Sequence, residues 1–144
     1  MPYKISAVDV YAVDVMNRPG MLARVLEALT LAGANLEFVI ARRVNENTSR
    51  VFLSPLKGTK VMRAAADLGL RKAEGMHAIR VQGPDAPGLG ARLSRGIADA
   101  GLNMRGFSGA AAGKTFIGYI AFATAADAQQ GLRAARKATS TRRR

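Results

Sequence analysis

The stretch PGMLARVLEALTLAGAN, residues 19–35, returns 68 residues later as PGLGARLSRGIADAGLN, residues 87–103. Seven of the 17 aligned positions are identical: Pro19/Pro87, Gly20/Gly88, Ala23/Ala91, Arg24/Arg92, Ala32/Ala100, Gly33/Gly101 and Asn35/Asn103. The identities fall on punctuating residues and need no gap, far beyond chance for a random offset. A repeat at this period means a tandem of two modules of about 70 residues. Each is small for an independent core, so the two are expected to lean on one another.

Working outward, each copy reads the same way. Alternating segments from Val8 to Val15 and from Met76 to Gln82 predict strands. Asn17 and Asp85 then stand where a helix N-cap belongs, with Pro19 and Pro87 in the first turn. The apolar spacing Leu22, Val25, Leu26, Leu29, Ala32 predicts an amphipathic helix, and Leu89, Leu93, Ile97, Ala100 repeats it. Gly33 and Gly101 sit where the chain must turn left-handed to leave that helix. Strands follow over Leu36 to Val44 and Met104 to Ser108, with turns at Asn45 to Ser49 and Gly109 to Gly113. Third strands cover Arg50 to Ser54 and Lys114 to Ala123, and second helices Lys60 to Leu68 and Ala125 to Arg136. Leu70 to Ala73 supplies a fourth strand to the first copy. The second copy's fourth strand is short or missing, because the residues after its last helix are too polar.

The predicted fold class is therefore α+β: two tandem ferredoxin-like βαββαβ modules, with antiparallel sheets and helices on one face. The expected boundaries are 1–74 for module one and 75–138 for module two. Residues 139–144 are expected to be a basic, disordered tail.

Asn17-Arg18-Pro19-Gly20-Met21-Leu22 with Gly33-Ala34-Asn35 resembles the ACT domain, as does Asp85-Ala86-Pro87-Gly88-Leu89-Gly90 with Gly101-Leu102-Asn103. The resemblance covers about residues 5–137 and comes nearest to small stand-alone tandem ACT proteins. It implies a non-catalytic regulatory protein that binds an amino acid or similar small metabolite at the Pro-Gly loops between modules. Signalling would run through homodimerisation by sheet-edge or helix pairing, or through an enzyme regulated in trans. It places the ligand loops on Asn17, Arg18, Pro19 and Gly20, and on Asp85, Ala86, Pro87 and Gly88, with Asn35 and Asn103 facing them.

The chemistry of the loop points the same way. A glycine at a helix start lets a ligand approach backbone N–H groups that lack an intrahelical partner. The helix dipole favours a carboxylate there. An ammonium needs acceptors, which the Asn35 or Asn103 amide oxygen or strand carbonyls can supply. Arg18, replaced by Ala86 in the second copy, can clamp a carboxylate. The same residues also read structurally, with Asn17 and Asp85 as caps and Asn35 and Asn103 as turn residues.

The remaining composition closes other classes. There is no cysteine and one histidine, which excludes disulfides, a thiolate zinc site, a cysteine nucleophile and a histidine-built metal centre. His77 alternates with Ile79 and Val81 and reads as a satisfied edge histidine, and Phe116, Tyr119 and Phe122 read as packing residues. Ser108 to Thr115 imitates a phosphate loop but leads into a strand rather than a helix. With acids scattered singly, no catalytic residue, metal or cofactor is expected, and no enzyme activity. Residues 1–15 lack a signal-peptide layout, and no run of about 18 apolar residues occurs. A cytoplasmic protein without a membrane partner is expected.

The formal charge is +12, from 22 Lys plus Arg against 10 Asp plus Glu. Half of it lies in the last twelve residues, while residues 84–132 net only +1. That tail reads as a phosphate-gripping arm, or as a solubilising end whose Arg133, Arg136 and Lys137 complement a helix C-terminus. No aromatic residue is interleaved to stack on bases, so nucleic acid is not the expected partner. The alternative function is an RNA-binding ferredoxin-like module using this basic surface, with Phe38 and Phe52 as stacking candidates.

Overall fold

The computed structural model describes residues 2–140, which divide into two compact units. The first comprises residues 9–73. Its elements are β2 (Tyr11–Met16), α1 (Met21–Leu31), β3 (Phe38–Arg43), β4 (Thr48–Ser54), α2 (Thr59–Leu68) and β5 (Arg71–Lys72). The sheet is antiparallel in the order β3-β4-β2-β5. Val51 and Leu53 of β4 alternate onto one face, where Val25 and Leu29 of α1 and Val61 and Ala65 of α2 cover them. Leu29 is fully buried, which is worth about 1.5–3 kcal/mol relative to leaving it in water.

The second unit is built from residues 2–8 and 74–140. It contains β1 (Lys4–Val8), β6 (His77–Pro84), α3 (Leu89–Asp99), β7 (Gly106–Ala112), β8 (Thr115–Phe122) and α4 (Ala125–Ser140), with the sheet in the order β1-β6-β8-β7. Leu89, Leu93 and Ile97 recur every four residues along α3 and are buried against Ile79, Val81, Ile120 and Phe122.

Two antiparallel four-stranded sheets with four helices confirm the α+β expectation of duplicated ferredoxin-like modules. The bookkeeping of strands differs from the sequence reading, however. Val8 to Val15 is not one strand: β1 ends at Val8 and β2 starts at Tyr11, and the two join different sheets. β1 runs antiparallel to β6 from Lys4↔Gln82 to Val8↔Ala78, so the second unit's fourth strand comes from the start of the chain. Two bonds tie it down: the Tyr3 hydroxyl donates to the Pro84 carbonyl at 2.6 Å, and Arg136 Nη2 donates to the Ile5 carbonyl at 3.1 Å. The expected cut at 1–74 and 75–138 thus misassigns the first eight residues.

Other differences are local. Thr139 and Ser140, expected in a disordered tail, continue α4; residues 141–144 lie outside the described residues. Gly109 to Ala112, expected as a turn, belong to β7, and the chain reverses only at Gly113-Lys114. The reason is the Phe116 ring. Gly109 and Gly118 are register partners, and a Cβ on either would come within 3.0 Å of that ring. The aromatic side chain takes the space that side chains would otherwise fill, which keeps two glycines in paired strands.

Candidate functional site

Each unit presents the same strand-to-helix loop. In the first unit, β2 runs into Asn17-Arg18-Pro19-Gly20 and then α1. In the second, β6 runs into Asp85-Ala86-Pro87-Gly88 and then α3. Both glycines are left-handed, with φ of 88° at Gly20 and 83° at Gly88, and each occupies the N-cap position of its helix. Their carbonyls start the helical ladder, accepting from Arg24 N at 3.0 Å and Arg92 N at 2.9 Å. A one-turn closure precedes each helix, Met21 N to Arg18 O at 3.3 Å and Leu89 N to Ala86 O at 3.2 Å.

The capping expected of Asn17 and Asp85 is not what these residues do. Neither helix has a side-chain cap, because the glycine itself, three residues closer to the helix, is the N-cap. Asn17 instead secures the loop to the β3–β4 turn. Its backbone N–H donates to Asn47 O at 2.8 Å, its Nδ2 donates to Glu46 O at 3.1 Å, and its Oδ1 accepts from the Ser49 hydroxyl at 3.3 Å. Asp85 uses its backbone for the same purpose, donating to Lys114 O at 2.9 Å in the β7–β8 turn. Both loops are thus pinned to a neighbouring hairpin. Glu46, Asn47, Ser49 and Lys114 were missed by sequence reasoning because most of these bonds use backbone atoms, which leave no mark on residue type.

This geometry leaves Gly20 and Gly88 exposed, with nothing within 4 Å of where a Cβ would stand. The next N–H groups, Leu22 and Ala23 in one copy and Gly90 and Ala91 in the other, have no partner inside the helix. No acidic side chain occupies the first turn of α1 or α3, while Asp85 sets an exposed carboxylate in the second loop that the first loop lacks. Arg18 and Pro19 are exposed beside Gly20, as Pro87 is beside Gly88, with Ala86 half-buried.

Asn35 and Asn103 do not join these loops within their own units. Each follows the C-terminal end of the helix whose N-terminus carries the loop. An 11-residue helix separates the two by about 16 Å. Both copies close that far end alike: Gly33 N donates to Thr30 O and Ala34 N to Leu29 O, while Gly101 N donates to Ala98 O and Leu102 N to Ile97 O. These are Schellman closures through left-handed glycines, and the exposed asparagines stand just beyond them.

Near the first loop, Arg50 on β4 grips Asp14 on β2 through two parallel bonds, Nε to Oδ1 at 2.6 Å and Nη2 to Oδ2 at 3.0 Å. This hydrogen bonding holds the Asp14 carboxyl below its ordinary pKa. His77 opens β6, an inner rather than an edge strand, and is exposed. Phe116, Tyr119 and Phe122 are buried as expected. Phe38 and Phe52 are both half-buried, with Phe52 opposite Ile40 in the β3–β4 register. Among the described residues, no cluster of three or more His, Cys, Asp or Glu could hold a metal, and no helix is long and apolar enough to cross a membrane.

No family model and no curated protein matches the sequence. The fold, in contrast, has many counterparts among solved structures. A protein from Bacteroides thetaiotaomicron superposes with a TM-score of 0.75 at 15% identity, covering 90% of this chain and 88% of that one. The ligand-free regulatory subunit of aspartate kinase from Thermus thermophilus gives 0.64 at 18% identity, covering 96% and 97%. A putative C-terminal regulatory domain of aspartate kinase from Porphyromonas gingivalis gives 0.57 at 15% identity, covering 96% and 98%. This chain therefore has the tandem ACT-type fold over nearly its full length.

Proposed function

We propose that this protein is a non-catalytic regulator that binds an amino acid or similar small carboxylate at its Pro-Gly loops and signals through dimerisation or partner binding. The observation that carries the reading is the duplicated left-handed glycine, Gly20 and Gly88, at the open start of α1 and α3. A backbone without Cβ at that position admits a carboxylate to unpaired N–H groups, with the helix dipole in its favour. The fold neighbours named as regulatory parts of aspartate kinase support a regulatory role over a catalytic one. Arg18 gives the first loop a cation that Ala86 denies the second, so the first loop is the tighter site for an acid.

A thermal-shift panel of the common amino acids and small carboxylic acids tests this. A ligand that binds only the folded chain raises its stability by about 2.7 kcal/mol at a hundredfold excess over its dissociation constant. The expected result is a shift for one chemical group of ligands, reduced by Arg18→Ala. A flat panel at millimolar concentrations overturns the reading.

A further inference from the structure

The outer faces of α3 and α4 enclose a groove of about 740 Å³ within the second unit. Its rim carries Arg92 and Arg95 from α3 and Arg133 and Lys137 from α4, against one carboxylate among the described residues, that of Asp99. Asp99 is engaged at 3.6 Å by Arg95. The floor is small and apolar, with Gly96 meeting Ala134 and Ala138 where the helices come together. From Ala91 to Ala100 the groove extends about 14 Å, roughly two and a half helical turns.

We infer that this groove docks an acidic amphipathic helix of a partner protein. The floor fits small apolar side chains of such a helix, and the rim's excess of basic over acidic side chains, led by Arg92 and Arg133, fits glutamates or aspartates on its flanks. A second copy is the wrong occupant, because each of the four described helices carries one acid, Glu27, Asp67, Asp99 or Asp127, and none presents an acidic face. Nucleic acid is disfavoured because, among the described residues, no aromatic side chain lines the groove to stack a base. The inference goes beyond the metabolite reading and stands independently of it, since none of the loop residues from Asn17 to Gly20 or Asp85 to Gly88 lines the groove.

Fluorescence anisotropy with a labelled helical peptide of about 15 residues, glutamate on one face and alanine and leucine on the other, tests it on the full chain. Saturable binding that weakens as salt rises from about 50 mM to 300 mM is expected. R92E/R133E should weaken it at least about tenfold, with R92Q/R133Q intermediate. K60E/R63E, an equal charge change on exposed positions of α2, should leave it within about twofold. Replacing Arg142, Arg143 and Arg144 with serine should likewise preserve binding. The inference is overturned by absence of saturable binding, by equal loss in the α2 control or the serine variant, or by tighter binding of a single-stranded oligonucleotide that R92E/R133E abolishes.

Discussion

Gly20 and Gly88 have free space around them, so a side chain at either position meets a conformational obstacle rather than a steric one. A left-handed backbone costs an L-residue about 1–2 kcal/mol. Gly88→Ala should therefore lower unfolding stability by about that amount, and Gly88→Asn by less, as read from urea midpoints. Asp14 and Arg50 offer a second test at this scale. Because the carboxyl's pKa is lowered in the folded protein, the pair stabilises above the ordinary carboxylate value of 3.8 and ceases to do so as pH falls through the lowered one. Arg50→Gln should be slightly less stable than the parent at neutral pH, and the two should converge in acid. The pair is about half exposed, so salt should shrink the difference as well. The glycines of the loops were legible in the sequence because repetition singled them out. The role of Asn17 was not, since an asparagine beside a helix start and one stapling a hairpin look alike until the hairpin is in place.

Helices were the most legible elements, because apolar residues at three- and four-residue spacing can pack only on one stripe. Two glycines within them make opposite predictions. Gly90 lies in α3 with its nearest outside atom, Phe107 Cζ, 3.9 Å from a would-be Cβ. Gly90→Ala should stabilise by roughly 0.5–1 kcal/mol, since alanine loses less backbone freedom on folding. Gly131, buried in α4, has the Phe122 ring against the position of its missing Cβ. Gly131→Ala should cost about 1–3 kcal/mol through overpacking despite alanine's better helix propensity. Thermal or urea denaturation of both variants distinguishes the cases. Strand limits were less legible. The run Gly109 to Ala112 carries no β-forming side chain, and only the Phe116 ring on the next strand explains its place in the sheet.

At the scale of the whole chain, the order of elements was readable and the membership of β1 was not. Alternation says that a segment is a strand without saying which sheet receives it. The Lys4–Val8 strand beside β6 predicts where damage there will be felt. Ile5 is 6% exposed and packs into the second unit's core, so Ile5→Ala should cost about 2–5 kcal/mol. Amide exchange should rise in β6, β8 and α4 while residues 9–73 keep their protection. This arrangement also sets a schedule for synthesis. β1 leaves the ribosome ahead of β6 and must wait for Gln82, the partner of Lys4, through several seconds of elongation. Residues 9–73 have all their sheet partners in hand before then. The inserted unit is thus free to form first, while β1 waits for residues 77–84 to supply its partner strand.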